Sequence, residues 1–140
     1  MARPVVWSSL GYSSDPIPGE PTRVDLFGRQ YIGTADAIYR AVGNLTTALK
    51  PEFGQSDAVD AVREAAGDVA RRIAKAETRY RGVGDAMVAY AAQLTTAQAD
   101  SLTALTSADA ARTSASSARN MVNYYDQQAN DPDTPPANVS

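Results

Sequence analysis

The sequence predicts an all-α protein: an elongated antiparallel helical hairpin with a long, alanine-rich second helix and an extended N-terminal arm. Three observations carry this. The first is a stripe of apolar and small residues at alternating steps of three and four. It runs Val59, Val62, Ala66, Val69, Ile73, Ala76, Tyr80, Val83, Met87, Tyr90, Leu94, Ala97 and on through Ala118 to Val122 and Tyr125, with Ser101 its one polar member. This spacing puts the side chains on one side of a helix, and its mean period of about 3.5 residues is that of a coiled coil. The second is a shorter stripe of the same period: Val24, Tyr31, Ile38 and Leu45 stand seven apart, with Phe27, Thr34, Ala41 and Ala48 between them. The third is composition. The chain is 44% hydrophobic but only 7% aromatic; much of the apolar share is alanine, which suits close-packed helices better than a thick core. No stretch reads as a strand.

The elements follow in order. Residues 1–20 hold Pro4, Pro16 and Pro18. The Asp15-Pro16-Ile17-Pro18-Gly19-Glu20-Pro21 run excludes helix there, because a proline pushes its predecessor out of the α region. Val5, Val6, Trp7, Leu10, Tyr12 and Ile17 make the stretch too apolar for a loose tail, so it reads as an extended arm with Trp7 and Leu10 against the helices. The first helix is expected over 21–49. Pro21 suits its first position, where a missing N–H costs nothing, and Glu20 complements the positive helix end. Gly28, Gly33 and Gly43 each cost about 1 kcal/mol relative to alanine inside a helix, so this helix depends on tertiary packing. Residues 50–55 form the turn: Pro51 stops the first helix, and Ser56 followed by Asp57 and Asp60 starts the next. So short a connection makes the helices antiparallel neighbours.

The second helix is expected over 56–128. At about 1.5 Å per residue it spans roughly 110 Å, against roughly 42 Å for the first. The first helix therefore covers less than half of it. Past about Met87 the stripe needs another cover, either a fold-back of the chain or a second molecule. Gly82-Val83-Gly84-Asp85 is the best candidate break. The three-four register runs through Tyr80, Val83, Met87 and Tyr90 without a slip, which favours a continuous or slightly bent helix over three helices. Past Ser101 the stripe is nearly all alanine, so this is the weakest part of the helix, with Leu102 and Leu105 as its anchors. Residues 129–140 read as a disordered tail or linker.

The chain of 140 residues makes one domain at most. With 13 basic and 16 acidic residues, its formal net charge is -3, which argues against general affinity for nucleic acid or anionic membrane. It has neither Cys nor His, so it lacks disulfides, thiolate chemistry and His-based acid–base catalysis, as well as the usual zinc ligands. No apolar run approaches the roughly 20 residues that span a bilayer, and the first ten residues are too interrupted for a signal-peptide core. No catalytic residue, metal or cofactor is expected. Glu64 and Asp68 share a helix face as solvated acids. Arg71, Arg72, Lys75, Arg79 and Arg81 form the densest basic patch; a solvated surface comes first for it, contact with an acidic partner next.

The opening Trp7-x-x-Leu10-Gly11-x-x-x-Asp15-Pro16-x-Pro18-Gly19-x-Pro21, followed by a helix, a short turn and an alanine-rich helix, resembles the N-terminal targeting domain of actinobacterial proteins exported by type VII secretion. These are relatives of the WXG-type (Esx-like) helical hairpins. The stretch from Tyr80 through Val83-Gly84-Asp85-Ala86-Met87, Ala89-Tyr90-Ala91 and Leu94 to Ala97-Gln98 is similar to the second helix of that family. Two features depart from it. Phe53-Gly54 stands where the family usually carries Trp-x-Gly. The Tyr-x-x-x-Asp/Glu export signal is also missing, since Tyr124 and Tyr125 are followed four residues on by Gln128 and Ala129.

The resemblance implies a non-enzymatic targeting and assembly module, secreted by the type VII route without a cleaved signal peptide and cytoplasmic before export. It would pair with a WXG-like helical partner and be recognised by the export machinery, as the front part of a secreted toxin in many relatives. The alternative is a self-assembling structural helical protein with no export role. From the residues themselves, the expected partner contacts are Met87, Tyr90, Leu94, Leu102, Leu105, Val122 and Tyr125, most of which the first helix is too short to cover, and Phe53 at the turn, which reads first as a staple closing the hairpin end and next as a partner contact.

Overall fold

The computed structural model describes residues 2–133 apart from the side chain of Phe53. The part of the expected tail over 134–140 lies outside the described residues. The protein is all-helical. Helix α1 runs Pro21–Ala48 and helix α2 runs Asp57–Ala129 as a single element of 73 residues. Short 3-10 turns occupy Ser8–Leu10 and Pro51–Phe53. The helix runs without a break through the candidate site Gly82–Asp85, as the unbroken register led one to expect. The chain divides into two compact units, Gly19–Thr96 in one and Met1–Pro18 with Ala97–Ser140 in the other.

The Gly19–Thr96 unit is an antiparallel hairpin. Glu20 is extended and Pro21 takes the first helical position, where proline's fixed φ is already helical. At the other end of α1, the Leu49 N–H donates to Leu45 O and the Lys50 N–H to Thr47 O. Pro51 then prevents continuation. Gly54 leaves the turn at φ 144°, a region open to glycine and closed to other residues. The Ser56 hydroxyl accepts from the Val59 N–H at 3.2 Å, the N-cap expected for α2. The turn is closed by a side chain that sequence reasoning overlooked. The Arg63 guanidinium donates to Leu49 O at 2.9 Å, to Lys50 O at 3.4 Å and to Gly54 O, and it also bonds Asp60. One planar fork thus satisfies carbonyls that the end of α1 leaves without helical partners.

The two helices come closest at a pair of glycines. A Cβ on Gly28 would stand 2.9 Å from Gly84 O, and a Cβ on Gly84 would stand 2.7 Å from Gly28 O and from Ile32 Cγ1. Backbone rests on backbone there. Gly33 and Gly43 face open space, so of the three α1 glycines only Gly28 serves close approach.

The buried row of α2 corrects the sequence stripe by one residue at Val62, Val69, Val83 and Tyr90, while Ala76 stays half-buried beside Glu77. Val59, Ala66, Ile73, Met87 and Leu94 are buried or half-buried as expected. The residues between them in the interface are Arg63, Ala70, Glu77, Gly84 and Ala91, a step of four then three rather than three then four. The displaced members stay out: Val62 is 63% exposed, Val69 48%, Val83 46% and Tyr90 54%. The glycine contact explains the choice. Backbones this close need small residues along the contact line, and Ala70, Gly84 and Ala91 supply them where valines would not fit. Arg63 and Glu77 enter the row on their aliphatic stems, with their polar ends bonded.

In the other unit, the arm folds onto the Ala97 end of α2. It is not extended throughout: after Trp7 it makes the 3-10 turn, which Gly11 ends at φ 79°. Trp7 is 1% exposed. Its indole N–H donates to Pro4 O at 2.8 Å, and its carbonyl accepts from the Leu10 and Tyr12 N–H groups. Arg3 organises the rest. Its guanidinium lies 5.0 Å from the Trp7 ring centre, grips both carboxylate oxygens of Asp15, and donates to Gln98 O at 3.0 Å and Ser101 Oγ at 2.9 Å. Asp15 also accepts from the Ile17 N–H, and Gln98 Nε2 donates to Ile17 O. Ser9 bonds Asp109 and Arg112. The resulting charge-assisted network holds Asp15 below the usual carboxylate range, the Arg3 hydrogen bond being the main cause. Beyond this arm, every described residue from Ala111 onward is exposed.

Candidate functional site

The site that the fold offers is a surface. In the hairpin unit, the row Val62, Val69, Val83 and Tyr90 is joined by exposed aromatics on the same side. Tyr31 of α1 meets Tyr80 of α2 in a tilted ring contact, with centroids 5.6 Å apart at 33°, within the range of aromatic pairing. Tyr80 lies three residues before Val83, and Phe27 lies one turn before Tyr31. Phe27 is 43% exposed, Tyr31 39% and Tyr80 40%. One flank of the hairpin is therefore an uncovered apolar face built from both helices.

The opposite flank is polar and internally paired. The Arg81 guanidinium bridges Asp36 at 2.8 Å and Glu77 at 2.7 Å, and these hydrogen bonds raise its pKa, the one to Asp36 most. Arg29 bonds Asp25 at 2.8 Å, which raises its pKa in the same way. Arg71 pairs with Asp68. These are solvent-screened pairs that contribute little stability each. Together they occupy Asp25, Asp36, Asp68 and Glu77.

The sequence-predicted contacts scatter. Tyr90 belongs to the apolar face, and Met87 is half-buried at its edge. Leu94 and Leu105 need correction: they are 7% and 6% exposed, buried inside their own units and withdrawn from any partner. The reach of the first helix, reckoned from its length alone, omitted the residues just ahead of it; a Cβ on Gly19 would stand 3.3 Å from Leu94 Cδ2. Leu102 is half-buried. Val122 and Tyr125 are 58% and 60% exposed, beside Met121 and Tyr124 at 60% and 57%. Tyr124 and Tyr125 meet edge to face at 5.5 Å. The Phe53 side chain lies outside the described residues. Phe27, Tyr31, Val62, Val69 and Val83 were not foreseen as surface, because periodicity had assigned all five to the core.

Among the described residues, no group of three or more His, Cys, Asp or Glu side chains is placed to hold a metal ion. No described helix is long and apolar enough to cross a membrane. No known family model, curated protein or solved structure matches this chain.

Proposed function

We propose that this protein is a non-enzymatic pairing and targeting module of type VII secretion. It associates through helix-on-helix packing with a partner helical hairpin and is recognised by the export machine. The observation that carries the pairing part is the uncovered apolar face of Val62, Val69, Val83 and Tyr90 with Phe27, Tyr31 and Tyr80. A heptad-spaced row of this kind is what a second pair of helices packs against. The export part is supported by the resemblance of the arm to type VII targeting domains. Its motif residues also have physical work in this chain: Trp7 is buried, Gly11 takes the left-handed turn, and Asp15 anchors Arg3.

Secretion tests the whole reading. The tagged chain is produced in an actinobacterial host with a type VII machine, together with a matched strain whose machine is disabled. Release into the medium should require the machine and should fall when residues 7–19 are deleted. Equal release from both strains would remove the export role. The second reading, self-assembly, draws on a different observation. The α2 stretch from Ala111 is exposed along its whole length and keeps Ala111, Ala115, Ala118, Val122 and Tyr125 on one stripe. Light scattering on the purified chain separates the two, since self-assembly requires an ordered homo-oligomer.

A further inference from the structure

The charges around the apolar face define what can sit on it. On a helix, the neighbours of a residue are those three and four away in each direction. For Val62, Val69, Val83 and Tyr90 these positions hold only Ala, Val, Ile, Tyr, Met, Gln and Leu, with two exceptions, Arg72 and Arg79. No carboxylate borders the row. Both arginines are exposed, and neither makes an ion pair among the described residues. Within the same basic patch, Arg71 and Arg81 are instead paired on the polar flank. On α1, the residue one turn before Phe27 is again an arginine, Arg23, although this one stands 3.9 Å from the Glu20 carboxylate. In a chain of net charge -3, the positions that flank this row on α2 thus hold two cations and no carboxylate.

We infer that this face docks a helical partner whose apolar stripe is flanked by Asp and Glu, with Arg72 and Arg79 as the residues that select it. The inference rests on the pairing reading above and specifies the partner's chemistry. Charge at the rim of an interface sets partner choice and suppresses wrong pairings more than it adds affinity. A second copy of this chain is the wrong partner, because it brings the same arginines and no carboxylate to the same interface. An anionic bilayer is disfavoured as well: interfacial helices carry many cations on their polar face, whereas Arg29, Arg71 and Arg81 on the polar flank here are each paired with an acid.

The test uses the full chain and two synthetic helical hairpins with the same leucine heptad stripe, one flanked by Glu and the other by Lys. Fluorescence anisotropy reads binding to the wild type and to Arg72→Glu with Arg79→Glu. Both positions are exposed, and circular dichroism checks that the variant keeps its helices. The wild type should prefer the Glu hairpin by about tenfold, the scale of a few screened ion pairs, and the preference should shrink at high salt. The double variant should reverse it. Val83→Asp should weaken binding of both hairpins. Equal binding of the two hairpins by the wild type would overturn the role of the arginines while leaving the pairing reading intact. Binding of neither, with a homodimer seen by light scattering, would overturn the acidic partner in favour of a second copy. Binding of neither, with co-sedimentation on vesicles containing phosphatidylserine, would overturn it in favour of a membrane surface.

Discussion

Gly82 and Gly84 lie two residues apart in α2, and alanine should act on them with opposite sign. In a helix interior, alanine is favoured over glycine by about 1 kcal/mol at either position. At Gly82 nothing stands within 4 Å of the added methyl group, so Gly82→Ala should stabilise by about that amount. At Gly84 the methyl group would meet Gly28 O and Ile32 Cγ1 at 2.7 Å and the Ile32 N at 3.0 Å. Two of these three are backbone atoms, so relief requires α1 and α2 to move apart. Overpacking of this kind costs about 1–3 kcal/mol. Set against the propensity gain, the change ranges from neutral to a loss of about 2 kcal/mol, and it falls below Gly82→Ala by about 1–3 kcal/mol. Equilibrium urea unfolding followed by far-ultraviolet circular dichroism measures both. Comparing two glycines of one helix removes intrinsic propensity from the difference. Equal stabilisation by the two substitutions would refute the backbone contact, and with it the reason given for the shifted register.

Other consequences are as direct. Arg63→Ala removes the donor shared by Leu49 O, Lys50 O and Gly54 O and should cost about 1–2 kcal/mol, the scale of hydrogen bonds to a part-exposed charged group; Arg63→Lys should recover only part of it in the same urea assay, because an ammonium lacks the planar fork. Ser56→Ala should cost about 1 kcal/mol through loss of the N-cap. Asp15 is held below its ordinary value by Arg3, so its contribution is present above the unfolded carboxylate pKa of about 3.9 and lost as pH falls through the folded value. Trp7 fluorescence should therefore keep its buried, blue-shifted emission from neutral pH to about 5 and shift red only in strong acid, whereas Asp15→Asn should show a weakened arm already at neutral pH.

The helices, the turn and the N-cap were legible in the sequence because each has a local cause: Pro21 opens α1, Pro51 ends the segment, and Ser56 caps α2. The arm was half legible. Trp7 was expected against the helices and is buried, but nothing in the local pattern linked Arg3 to Asp15, Gln98 and Ser101. Those contacts join residues up to 98 positions apart, and periodicity carries no information at that range. Arg63 was missed for a related reason, since a charged residue inside an apolar stripe is ordinarily read as surface.

The register error has a different origin, and it explains why there is a surface to discuss. Along α2, two adjacent rows of seven-residue period are both largely apolar. One holds Val62, Val69, Val83 and Tyr90; the other holds Ala70, Gly84, Ala91 and the stems of Arg63 and Glu77. A count of hydrophobicity chooses the first. Folding of the hairpin chooses the second, because the closest approach of α1 and α2 at Gly28 and Gly84 admits only small side chains. The larger residues then remain as an apolar row that the chain does not cover itself. For a monomer working alone, such a row would lower solubility to no benefit. Under the pairing proposed above the assignment is economical: small residues bring the two helices of the hairpin close, and valine and tyrosine, which bury more area per contact, would be left for the second molecule. Replacing Val62 and Val83 with lysine should therefore leave the hairpin folded and abolish pairing. Loss of helicity in that variant would mean that the two residues belong to the hairpin's own core.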